Sequence, residues 1–302
     1  MTKAALGLGT YRIRPSALSD AVARVATDPA TAWIDTAPNY LDGQAQSLLA
    51  PALARHPIPV STKIGFLTIQ AAKDAVVDGA ITTGEAERGH CLSLPYVHWQ
   101  CARNRTELGR EQLDLVFAHN PERADCDPHE ALRDAFTALE AEATAGALTA
   151  YGVATWDGFE TGVLSTPILH QLAVEAAGTE QHHLRAVQLP VSLVTATAFV
   201  QALDGEGPIA QAAELAWQVY ASAPLFGGEL ADLATRELTA LLNPDLTTAQ
   251  ACLLAAASCP GVTRILLSAS TQAHWAEAQE ALRSPSIPAP TLRKVLDVLA
   301  TA

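Results

Sequence analysis

Short apolar runs that alternate with helix-patterned stretches along the whole chain most constrain what it can fold into. The runs span residues 6–10, 32–35, 58–64, 113–118, 151–155, 185–189, 219–221 and 264–267. Helical patterning fills 16–27, 44–55, 93–108, 129–145, 159–177, 208–217, 248–258 and 271–282, with a last helix at 291–299. About eight alternations in this length predict an α/β chain folded as a (β/α)8 TIM barrel. A doubly wound sheet with an appended domain is the runner-up. No linker divides the chain, and Gly7-Leu8-Gly9 lacks the third glycine of a dinucleotide turn and opens no helix, so the runner-up is weaker. One barrel domain is expected over 1–302. The exception is 66–92, too long for an ordinary βα loop and punctuated by Gly79, Gly84 and Gly89. It is expected to border the barrel mouth as a mobile flap or to carry short helices.

Three of the runs deliver an ionisable residue to their C-terminal end: Asp35, Lys63 and His119. Pro38 breaks the chain just after the first, and Tyr40 follows. Each residue also has a structural reading. Asp-Thr-Ala-Pro suits a turn, Tyr40 suits a surface loop, and His119 before Asn-Pro suits a turn as well. Lys63 resists that reading, because a lysine at the buried end of a strand needs a partner or a solvated cleft. Taken singly, only Lys63 points to function. At equivalent strand ends, where barrels carry their functional groups, the four together point to proton-transfer chemistry.

Composition narrows the partners. A formal charge of −13 argues against nucleic acid and anionic membranes, which need clustered Lys and Arg. Met-Thr-Lys-Ala-Ala-Leu is too short an apolar start for a signal peptide or membrane span. Cys91, Cys101, Cys126, Cys252 and Cys259 are odd in number and lack CxxC spacing, so they read as free thiols of a cytoplasmic protein. No metal is expected. His182-His183 and the group His90, Cys91 and His98 read as solvated loop residues. Trp33 is assigned to the core on the strand face opposite Asp35, and Trp156 and Phe159 either wall a substrate pocket or pack a helix.

The motifs Gly-Leu-Gly-Thr, Ile-Asp-Thr-Ala-Pro-Asn-Tyr, Ser-Thr-Lys-Ile-Gly, Leu-Asp-Leu-Val-Phe-Ala-His-Asn and Tyr-Gly-Val occur in that order. In combination the chain resembles the aldo-keto reductase superfamily over essentially its whole length. The resemblance implies a (β/α)8 barrel with a catalytic tetrad of Asp35, Tyr40, Lys63 and His119. Reducing a carbonyl develops alkoxide charge that must receive a proton, and a phenol of ordinary pKa, about 10, is a sluggish acid at neutral pH. The Lys63 cation is expected to lower that pKa, Asp35 to hold Lys63 charged, and His119 to orient and polarise the carbonyl.

The resemblance also implies a cofactor, NADP(H) or NAD(H), at positions only partly kept here. Ala154-Thr155 stands where the family has Ser-Asn for the nicotinamide carboxamide, Gln188 matches its glutamine, and Ser222 replaces the stacking tyrosine. Pro224-Leu225 and Gly227-Gly228 match the phosphate loop. Ser268, His274 and Ala278 fall where two cations and an asparagine hold the 2′-phosphate and adenine, with Ser270 and Thr271 at a helix N-terminus suited to phosphate. Two functions follow. The first is nicotinamide-dependent reduction of a small-molecule carbonyl. The second is non-redox acid–base work as a dehydratase, isomerase or cyclase with no cofactor. A purely binding role is disfavoured by the complete tetrad. A monomer or small homo-oligomer is expected.

Overall fold

The structure, a computed structural model, describes residues 4–300. The expected domain's outermost residues, 1–3 and 301–302, and with them the start of the N-terminal stretch, lie outside the described residues. Eight parallel strands close into a barrel in chain order. They are β1 (Ala5–Gly9), β2 (Ile34–Asp35), β3 (Val60–Ile64), β4 (Leu113–His119), β5 (Leu148–Ala154), β6 (Leu184–Pro190), β7 (Gln218–Ser222) and β8 (Arg264–Leu267). β8 closes on β1 through the pairs Ala5–Arg264 to Leu8–Leu267. This is the (β/α)8 architecture expected from the alternation.

The first half carries helices α1 (Leu18–Val25), α2 (Ala45–Arg55), α3 (Ile69–Val77), α4 (Thr83–Glu87), α5 (Leu94–Leu108) and α6 (Pro128–Thr144). The second carries α7 (Thr166–Ala177), α8 (Thr197–Asp204), α9 (Gly207–Glu214), α10 (Leu230–Leu233), α11 (Arg236–Leu242), α12 (Thr248–Ala257), α13 (Gln272–Arg283) and α14 (Ala289–Ala300). Among the described residues, no helix is long and apolar enough to cross a membrane.

Side chains alternate along each strand, so one set faces the helices and the other the lumen. Leu8, Ile34, Ile64, Val116, Val153 and Val187 belong to the outer core beneath the helices. Leu115, Phe117, Ala154, Ala186, Tyr220 and Leu266 form a second cluster with Trp33, filling the lumen. Gly152 makes this possible, because a Cβ there would stand 2.7 Å from the Phe117 ring and collide with the Ala186 carbonyl. At the N-terminal end Arg264 plugs the barrel. Its guanidinium lies 5.0 Å from the Trp33 ring and donates to the Thr31 carbonyl at 2.8 Å. Trp33 therefore shares the inward face of Asp35, which corrects the opposite-face expectation: residues two apart on a strand point the same way.

Residues 66–92 carry short helices. Thr68 caps α3, a reciprocal Thr82–Glu85 capping box starts α4, and Ala75, Ile81, Cys91 and Tyr96 form a small core of their own. The segment returns to pair Phe66 with His90 in an antiparallel bridge. The helix expected from 159 starts only at Thr166, with Ser165 as its cap, because Gly158 and Gly162 shape a turn before it. The histidines expected to be solvated are engaged. His183 Nδ1 donates to Glu140 at 2.7 Å, His98 Nδ1 lies 2.7 Å from Glu142, and His182 is buried against His170. Among the described residues no group of three His, Cys, Asp or Glu side chains is arranged to hold a metal.

Candidate active site

The register places the ends of β2, β3 and β4 side by side, with Asp35 opposite Ser61 and Lys63 opposite Phe117. Asp35, Ser61 and Lys63 face the lumen, and the fully buried Lys63 ammonium donates to Asp35 at 2.6 Å and to the Thr36 carbonyl at 2.9 Å. The second Asp35 oxygen accepts from Ser61 at 2.7 Å and from the Gln188 amide at 3.1 Å. From outside the barrel, Asn104 donates to the Lys63 carbonyl at 2.9 Å, tying β3 to α5. A buried charge pair persists when its remaining hydrogen-bonding positions are filled, as they are here.

Tyr40 reaches the same spot by a tight turn in which Leu41 and Asp42 take left-handed backbone conformations, φ 51° and 54°. Its ring lies 4.9 Å from Lys63 Nζ and 6.4 Å, edge-on, from the His119 ring. Tyr11 packs on its other side at 5.2 Å, and Phe66 packs against His119 at 4.9 Å. The four ionisable residues read from strand ends thus converge at the C-terminal mouth of the barrel.

Burial and charge set their protonation. Desolvation is the largest influence and works against the Lys63 ammonium, but Asp35 and Tyr40 together outweigh it, so Lys63 lies above its ordinary value and stays charged. Burial lifts the Tyr40 phenol above its ordinary value, with Lys63 pulling the other way and Asp35 adding to the rise. This corrects the expectation of a lowered Tyr40, which counted the cation and not the desolvation. Burial, with the Lys63 charge, holds His119 well below the usual histidine range, so its imidazole is neutral at physiological pH.

A family model described as "Aldo/keto reductase family" matches residues 4–164, more than half of the chain. The chain belongs to the aldo/keto reductase family. A D-threo-aldose 1-dehydrogenase from Pseudomonas sp is 31% identical over 164 residues, 49% of each protein, so the match spans about half the length of that curated relative. An aldo-keto reductase from Klebsiella pneumoniae in complex with NADPH shares the fold at TM-score 0.68, with 20% identity over 99% of this chain and 95% of that one. The glycerol dehydrogenase AKR11B4 from Gluconobacter oxydans does so at TM-score 0.69, with 18% identity over 98% and 91% of the two chains.

The cofactor positions expected of an aldo/keto reductase are scattered more unevenly than its tetrad. Gln188 lies in the lumen, its amide shared with Asp35. Thr155 does not join it: its hydroxyl accepts from the Gly158 N–H at 2.9 Å and serves the turn after β5. Ser222 ends β7, and Leu225 and Gly227 belong to the kinked turn that follows, with Gly227 at φ 72°. Ser268 stands beside Gly9 at the end of β8, where a Cβ on the glycine would be 3.3 Å from its hydroxyl. Ser270 precedes Thr271, which caps α13 by accepting from the His274 N–H, and His274 is exposed on the first turn. Ala278, which stands where the resemblance puts the asparagine, packs into the core.

Several contributors escaped the sequence reading. Arg12, at φ 63° in the loop after β1, has a guanidinium nitrogen 3.2 Å from where a Gly227 Cβ would sit. It follows Gly-Leu-Gly-Thr-Tyr directly, a signal that was available. Arg24 reaches from α1 to donate to the Ala269 carbonyl at 2.9 Å, placing a cation beside the loop after β8. Ser61 sits two residues before Lys63 and so had to share its face.

Proposed function

We propose that this protein reduces a small-molecule aldehyde or ketone to an alcohol with a nicotinamide cofactor, and that Tyr40 donates the proton. The observation that carries the reading is the convergence of Tyr40, Lys63, Asp35 and His119 at the barrel mouth. A reduced nicotinamide, when bound, supplies the hydride. The chain's own residues do the rest. A phenol held above its ordinary pKa is fully protonated at neutral pH, the state a donor needs. Once the proton has moved to the carbonyl oxygen, the Lys63 ammonium stabilises the phenolate left behind, and Asp35 keeps that ammonium charged and in place. The neutral His119 is suited to donating a hydrogen bond to the same oxygen and so orienting it.

The residues fit a phosphate-bearing cofactor. Arg12 over Gly227 supplies a cation beside the turn after β7, and the start of α13 supplies a helix N-terminus behind Ser270 and Thr271. The nicotinamide end is thinner, since Ala154 offers only a methyl group and the Thr155 hydroxyl oxygen already accepts from the Gly158 N–H. That observation favours, as the second reading, a non-redox acid–base enzyme on the same tetrad. Titrating NADPH and NADH into the protein, then following NADPH oxidation over a panel of aldehydes and ketones, separates the two. Reductase chemistry predicts binding, turnover, and loss of turnover in Tyr40→Phe with binding kept. Binding of neither cofactor at millimolar concentration overturns the reductase reading, and near-wild-type turnover by Tyr40→Phe overturns the role of Tyr40.

A further inference from the structure

We infer that His90 is a positioning residue for His119, and that the segment between β3 and α5 reaches into the site through it. This rests on the reading above in which His119 orients the substrate carbonyl. His90 is 6% exposed and lies 2.8 Å, through Nε2, from the backbone carbonyl of His119. A carbonyl oxygen only accepts, so Nε2 carries the proton and donates. Burial lowers the pKa of His90, in keeping with a neutral ring. The contact is sequence-distant, joining the end of a two-helix excursion to the end of β4.

Three further features are built around it. Phe66 meets the His90 ring edge-on at 4.9 Å and the His119 ring edge-on at the same distance, so one aromatic braces both imidazoles. Gly65 leaves the room: at φ 131°, a Cβ there would fall 2.8 Å from His90 Nε2 and 3.0 Å from the His119 carbonyl. The segment is stitched to the end of β3 on either side of His90, by Leu67 N–H to the Gly89 carbonyl and Cys91 N–H to the Gly65 carbonyl, both at 2.9 Å. Asn120, immediately after His119, takes a left-handed conformation, φ 50°, and its N–H is held by the Ala154 carbonyl. His119 is therefore fixed at its carbonyl, at its ring face and at the following peptide. His90 supplies the first of these and, through Phe66, supports the second.

Displacing a group that orients substrate by about 1 Å costs up to about 10²-fold in rate. His90→Phe keeps a ring against Phe66 and removes the donor. It is expected to lower kcat roughly ten- to hundredfold with KM and NADPH affinity changed less than about threefold. His90→Gln, whose amide nitrogen reaches about as far as Nε2, is expected to restore kcat to within about threefold of wild type. His90→Asn, whose amide falls short, is expected to behave like His90→Phe. In a His119→Ala background, His90→Phe is expected to cost nothing further, because residues that act through one another are not additive. Wild-type turnover by His90→Phe, equal turnover by the Gln and Asn variants, or losses that multiply in the double variant would each overturn the inference. If His90→Phe does not fold, the Gln and Asn pair carries the test. Unchanged turnover by His119→Ala would instead remove the role of His119 itself, whereas an impaired His119→Ala beside an unimpaired His90→Phe removes only that of His90.

Discussion

Replacing Lys63 with Met separates the two things the Asp35–Lys63 pair does. The side chains are 1% and 5% exposed for Lys63 and Asp35, and Lys63→Met leaves the Asp35 carboxylate buried with Ser61 and Gln188 as its remaining donors. Removing one partner of a buried ion pair costs about 3–5 kcal/mol, because the other charge is stranded. For a chain of 302 residues that lowers Tm by roughly 5–8 °C. Asp35→Asn combined with Lys63→Met removes both charges and keeps the carbonyl oxygen that Ser61 and Gln188 address, so most of the lost stability should return. Turnover should not return, since nothing then stabilises the Tyr40 phenolate, and loss of effective general-acid function is worth on the order of 10²–10⁴-fold. Thermal melts of the three proteins, paired with NADPH oxidation on one good carbonyl substrate, give both answers. A Lys63→Met protein that melts like wild type would refute the stranded-charge argument. A double variant that regains turnover would refute the role of Lys63 in proton transfer.

Gly152→Ala should destabilise by about 1–3 kcal/mol through overpacking against the Ala186 carbonyl and the Phe117 ring, and Phe117→Leu in the same chain should recover only the ring's share; a melt that does not move would show that the lumen has slack. In pH–rate profiles, reduction should show no inflection at ordinary histidine pKa, about 6.5, because His119 is held well below it, and no alkaline fall at or below the ordinary phenol pKa, about 10, because burial holds Tyr40 above it. An inflection between pH 6 and 7 assigned by mutation to His119 would contradict a neutral imidazole. With Ser268 and His274 where the resemblance puts cations, calorimetry at pH 7 should find similar affinities for NADPH and NADH. A strong NADPH preference, lost in Arg24→Met, would show that the cation beside the Ala269 carbonyl has taken over.

The barrel and the tetrad were legible for one physical reason. A strand buried on both faces reads as a continuous apolar run, so an Asp, Lys or His at its end stands out against its neighbours. The same period-two logic was enough to seat Trp33 beside Asp35 and Ser61 beside Lys63, yet Trp33 was expected on the other face. What was not legible lies off the strands. The helices α10 and α11 have four and seven residues, too few for a 3.6-residue period to declare itself. Thr155 was placed with the cofactor from the resemblance, and that its hydroxyl also accepts from the Gly158 N–H was not legible, because a short polar side chain at a strand end suits either role. Nothing in the sequence links His90 to His119. Their contact exists because two capped helices bring the chain back to the end of β3, and capping signals reveal helix ends without saying where the chain returns.

The two ends of the mouth are consequently held by different kinds of force. Around Tyr40 the groups are buried, charged and multiply bonded: Asp35 alone meets Lys63, Ser61 and Gln188. A substitution there disturbs folding and chemistry together, because each side chain satisfies another that water cannot reach. At the β8 end Ser268 and His274 are exposed and the helix start of α13 is held by its own Thr271. Substitutions at those two positions change what is attracted from solution and leave the barrel as it was. On the proposed reading, drift in cofactor preference is thus cheap for this chain, while drift in the proton donor is not. That asymmetry follows from burial alone, whichever carbonyl compound the mouth accepts.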